Sequence, residues 1–150
     1  MLLAVLLWTM PFTQADEKKD DKKDKTDKIE WVKTQQFQGK VTKIEQRKIT
    51  LSVPQGKGQA NVTLDLSDDV TVRLGEKALP TKFTKTGEVA FYSKDELKEM
   101  KGDAKLWGYK GDFDAVKANA LVQVFVGKPK GAAKTDKPLV YSIYVNFRGD

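Results

Sequence analysis

From Lys48 to Val53 the chain alternates, with Ile49, Leu51 and Val53 apolar and Lys48, Thr50 and Ser52 polar. A period of two marks a strand with one face packed and the other wet. The same alternation sets Val62, Leu64 and Leu66 against Asn61, Thr63 and Asp65, then Val70, Val72 and Leu74 against Thr71 and Arg73. Three successive strands are predicted, with Asp68-Asp69 as the turn before the third. Upstream, Phe37, Gly39 and Val41 share one parity and Ile44 has the other. That switch predicts a bulge near Thr42-Lys43 in a curved first strand. An inward glycine in a curved strand favours a closing barrel over a flat sheet.

At Ser93 the pattern changes. Ser93-Lys94-Asp95-Glu96 is a capping box and Gly102 stands where a helix would end, so a short helix is expected over about 94–101. Its apolar residues are Leu97 and Met100, which predicts a lid or plug resting on the barrel. Downstream, Leu121 to Val126 is apolar except for Gln123, and Tyr141, Ile143, Val145 and Phe147 alternate with Val140, Ser142, Tyr144 and Asn146. Two late strands follow, joined by a polar loop from Gly127 to Pro138 that is expected to be mobile.

This order resembles the OB-fold and related small β-barrels, in which a helix separates the third and fourth strands. Gly39-Lys40-Val41 and Ile49-Thr50-Leu51 are similar to the strand openings of OB-like domains in exported bacterial proteins. The resemblance covers most of residues 36–147 and implies a mostly β fold: a small OB-like barrel or curled antiparallel sheet of about five to seven strands with one short helix. It also implies that the loop between the last two strands is a place where a polymer could be gripped. The stretch from Leu79 to Ala120 is longer than a minimal barrel needs.

The N-terminal end adds a compartment. Leu2 to Trp8 is a short apolar run, followed by Pro11 and by Thr13-Gln14-Ala15 before Asp16, which reads as a signal peptide over residues 1–15. No Lys or Arg precedes the run, so either the true start differs from Met1 or the α-amino group supplies the charge. Spanning a bilayer takes about 20 apolar residues, so the run is too short to remain as a transmembrane segment. Residues 16–28, DEKKDDKKDKTDK, carry six basic and six acidic side chains and nothing to bury, and read as a charged, disordered tether. One domain over residues 29–150 remains, in a periplasmic or secreted location.

Charge and residue inventory narrow the chemistry. The 150 residues hold 27 Lys and Arg against 21 Asp and Glu, a net charge of +6 that belongs to the domain because the tether is neutral. An anionic polymer would be attracted. There is no His and no Cys, which removes the commonest general base, nucleophile and transition-metal ligands. No cofactor or metal site is expected. Carboxylates are the remaining catalytic groups, but Asp65, Asp68, Asp69, Asp112 and Asp114 are accounted for more simply by turns, and no enzyme is read.

Two segments could contact a ligand. In Leu106-Trp107-Gly108-Tyr109-Lys110-Gly111-Asp112-Phe113, Trp107, Tyr109 and Phe113 could stack on sugars or bases while Lys110 meets an anionic group, although alternate aromatics in a strand also pack inward as core. The late loop carries Lys128, Lys130, Lys134 and Lys137. Four lysines without Arg or aromatics argue against sequence-specific nucleic-acid binding. The expected function is an exported, non-catalytic binding module whose partner is an anionic polymer or a protein. The alternatives are an accessory subunit of an envelope assembly, marked by an exposed apolar patch, and a carboxylate-based hydrolase.

Overall fold

The structure is a computed structural model that describes residues 28–149. The residues read as a signal segment, and all of those read as a tether except Lys28, lie outside the described residues, as does Asp150. The alternating segments form β1 (Trp31–Glu45), β2 (Lys48–Gln55) and β3 (Gly58–Leu74). The stretch beyond them holds a small hairpin of β4 (Lys82–Phe83) and β5 (Val89–Ala90), the helix α1 (Lys94–Lys101) and β6 (Tyr109–Gly111). The late strands are β7 (Leu121–Pro129) and β8 (Leu139–Phe147).

Five strands close a ring of hydrogen bonds. β1 pairs with β2, β2 with β3, β8 with β7 and β7 with β1, all antiparallel, while β3 and β8 run parallel. The fold is mostly β and barrel-like, as the periodicity and the OB-like resemblance imply. The ring is a mixed sheet, and its parallel pair is what a purely antiparallel curl would lack. β6 adds to the outside of β3, and β4 with β5 forms a separate two-stranded sheet.

Alternation fills the interior. Val41, Ile49, Leu51, Val122, Val124, Val140, Ile143 and Val145 are fully buried, with Val72 and Leu74 beside them. β1 turns sharply enough to serve two neighbours, its first part pairing with β7 and its last part with β2. The register slips between Val41 and Lys43, where the parity switch places the bulge, and Asn119 N–H donates to Val41 O across it. Gly39 permits the bend: a Cβ there would lie 2.5 Å from the Ser52 carbonyl oxygen.

Four expectations are corrected. The segments around Leu64 and Val72 are one continuous strand, and Asp68-Asp69 is no turn. There β3 leaves β2 for β8, and the register slips so that Leu66 faces Val140 and Thr71 faces Ser142. The helix has the expected bounds and the full capping box, but none of its residues is buried. It packs beside β6 and plugs nothing, because Leu97 and Met100 give it too little apolar surface to enter the barrel. In β8 the alternation breaks at Tyr141: Val140 and Ile143 both point inward, across a register slip between Phe125 and Val126. β7 runs on to Pro129, which shortens the late loop to residues 130–138.

Candidate ligand-binding trench

The residues singled out by sequence fall in two places. Tyr109 and Lys110 sit on β6, opposite Leu74 and Arg73 of β3. Tyr109 and Phe113 are half-buried against the core, whereas Trp107 is 87% exposed. The aromatic segment therefore divides, with two rings closing the barrel wall and one free in solvent. The lysines divide as well. Lys130 is paired with Glu30 and the Lys128 ammonium donates to Lys134 O, while Lys137 lines a cavity with Asp65, Asp68 and Asp69.

What holds the segment before β6 in place is Arg73, which is 7% exposed. Its guanidinium donates to Trp107 O (2.9 Å), Gly108 O (2.6 Å) and Lys101 O (3.0 Å). Lys101 O belongs to the last turn of α1, where unpaired carbonyls and the helix dipole favour a cation. One planar fork thus fixes both the helix end and the backbone that presents Leu106 and Trp107. Gly108 allows the close approach, with φ +69° and a would-be Cβ 2.5 Å from Leu74 O.

On the far side of β3 lies an aromatic cluster that the sequence reading did not pick out. Trp31 and Tyr141 stack with ring centroids 5.3 Å apart and planes within 9°, and Phe125 tilts against Tyr141 at 6.5 Å. The Lys33 ammonium stands 5.0 Å over the Phe125 ring. Two backbone irregularities bring these groups together outside the barrel. β1 slips register between Lys33 and Gln35, where Thr34 Oγ1 donates to Val126 O, and β8 bulges at Tyr141. Burial pushes the Tyr141 phenol above its ordinary pKa. A signal was present in Phe125, which shares parity with polar Gln123 while Val122, Val124 and Val126 face inward. For Trp31 there was none, because a lone Trp at a strand start has no alternation to read.

Between the two sides runs a trench along the outer surface of β3, made of three adjoining cavities of about 410, 470 and 480 Å³. The first lies between Arg47 of the β1–β2 turn and Lys137 of the β7–β8 loop with Leu139 at the start of β8, and includes Asp65, Asp68 and Asp69. Arg47 is ion-paired with Asp68. The second has Trp31 and Tyr141 on one wall, Leu106 on the other, and Asp69, Thr71 and Ser142 among its polar groups. The third ends at Lys110, Asp103 and Asp112 beside β6. Ile29, Trp31 and Asp69 are shared by the first two, and Thr71, Arg73 and Leu106 by the second and third.

The trench therefore joins Lys137 and Lys110 end to end, with Leu106 on its wall, while Lys128, Lys130 and Lys134 do not line it. A separate groove of about 650 Å³ over the bend of β1 is lined by Gln38, Lys40, Ser52, Gln59, Gln123 and Asn146 and has no aromatic wall. Among the described residues, no group of three or more acidic side chains is placed to hold a metal ion, and no helix is long and apolar enough to cross a membrane. Comparison of the chain with protein-family models, with curated proteins and with solved structures gives no match.

Proposed function

We propose that this chain is an exported, non-catalytic binding module that holds an extended partner in the trench along β3. The observation that carries the reading is the convergence of the β1–β2 turn and the β7–β8 loop on one end of that trench, through Arg47 and Lys137. In OB-like barrels these two loops and the surface between them grip oligonucleotides and oligosaccharides. Rigid, partly covered rings beside convergent polar groups are what a binding groove needs. Ser142, half-buried in the trench, gives the test. The full chain should co-sediment with at least one of peptidoglycan sacculi, chitin, cellulose or heparin beads, and Ser142→Trp should abolish co-sedimentation by filling the groove. Sedimentation with none of them, or retention unchanged in Ser142→Trp, would overturn the reading.

One observation favours a second reading, the accessory subunit. The β4–β5 hairpin pairs Phe83 with Val89 on one face, and Phe91 follows just beyond β5. They are 61%, 65% and 94% exposed. Summed, they expose roughly 400 Å², the size of the largest apolar patch on a typical soluble monomer, a patch that is often functional. On this reading Phe83→Ser with Phe91→Ser releases a protein partner captured by cross-linking from envelope extracts. It leaves the sedimentation of the isolated chain unchanged.

A further inference from the structure

Taking the trench as the binding site, we infer that its ligand is an uncharged, hydroxyl-rich glycan chain rather than a polyanion. Much of the cationic hydrogen-bonding capacity near the trench is already engaged. Arg73 donates to three main-chain carbonyls, Arg47 is ion-paired with Asp68, and Lys130 with Glu30. Lys28, Lys110 and Lys137 remain along the trench, and they face Asp65, Asp69, Asp103 and Asp112 in the same cavities. A phosphate or sulfate chain laid there would meet carboxylates at both ends, and like charges brought together disfavour such a partner. The central cavity supplies what a sugar uses. Stacking on Tyr141 holds the Trp31 ring rigid at the cavity wall, where the uncovered part of that aromatic pair can meet the apolar face of a pyranose ring, while Asp69, Thr71 and Ser142 offer acceptors and hydroxyls to its edge. Asp69 is exposed, and its backbone N–H donates to Ser67 Oγ, which fixes the backbone that presents the carboxylate.

The trench is also long enough for several sugar units. From Asp65 to Arg73 its lining follows β3, a contour of about 25 Å at about 3.3 Å per residue that the register slip between Leu66 and Thr71 shortens. Trp107 stands at its lip, beside Leu106 and almost fully exposed.

Cellohexaose, chitohexaose and maltohexaose, with heparin as the polyanion, distinguish the possibilities on the full chain by tryptophan fluorescence and calorimetry. At least one neutral hexasaccharide should bind with little dependence on salt. Trp31→Ala and Asp69→Asn should each weaken it about tenfold or more, and Trp31→Phe should keep most of it. Thr71→Val, which preserves shape, should weaken binding without altering the melting temperature, so a loss there is not misfolding. Heparin binding that depends on Trp31, with no hexasaccharide bound, would overturn the ligand class and leave the trench as the site. Hexasaccharide binding indifferent to Trp31, Asp69 and Thr71 would overturn the site. No trench-dependent binding of any probe would overturn both this inference and the reading on which it rests.

Discussion

Arg73 shows how far one residue's role departs from its place in a pattern. Its parity marks it as an outward, wetted strand residue, yet it is buried beneath the backbone of residues 101–108 and satisfies three carbonyls. Arg73→Met should cost about 3 kcal/mol in urea unfolding, because three part-buried carbonyls lose a charged donor. Arg73→Lys should recover only part, since a single ammonium cannot span three acceptors in the plane of a fork. Tyr141 yields a pH-dependent outcome. Its phenol is raised by burial, so the folded state retains the proton more strongly than the unfolded chain. Its contribution to stability is complete below the ordinary tyrosine pKa of about 10 and is lost as pH rises through the higher folded value. Absorbance titration at 295 nm of wild type against Tyr141→Phe should show one late-ionising phenol.

Among the elements, the helix is the most local in its causes. The Ser93 hydroxyl accepts from Glu96 N–H, the Glu96 carboxylate accepts from Ser93 N–H at 2.7 Å, and Lys82 from β4 pairs with the same carboxylate. The Lys82 ammonium first, and then the Ser93 amide, hold the Glu96 carboxyl down to about 2. A depressed carboxyl stabilises the fold above its unfolded pKa of about 4.3, and that support is lost as pH falls towards 2. Helix α1 and the hairpin tied to it should therefore loosen between about pH 4 and pH 2, read by the amide exchange of residues 82–101. Glu96→Gln should remove the pH dependence in that window. Ser93→Ala should destabilise by about 1 kcal/mol at neutral pH, the usual cost of a lost N-cap.

For the whole molecule, stability resides in the ring and not in its attachments. Ile49, fully buried where β2 meets its neighbours, should cost about 2–5 kcal/mol on Ile49→Ala, whereas Phe91→Ser, at an exposed site, should stay within about 0.5 kcal/mol. Amide exchange should be slowest in the ring strands and fast in β4 and β5, since a two-stranded hairpin has little to protect it. Whatever depends on residues a few positions apart is legible in the chain itself. The strand parities of β2 and β3, the bulge after Val41 and the bounds of α1 all follow from neighbours in the chain, as does the absence of His and Cys chemistry. That Asp68-Asp69 lies inside a strand, that Arg73 is buried, that Trp31 meets Tyr141, and that Lys137 and Lys110 end one trench comes from the fold. Each of those depends on register between strands distant in sequence. Register is set by closure of the ring, to which every strand contributes, and no local pattern encodes it.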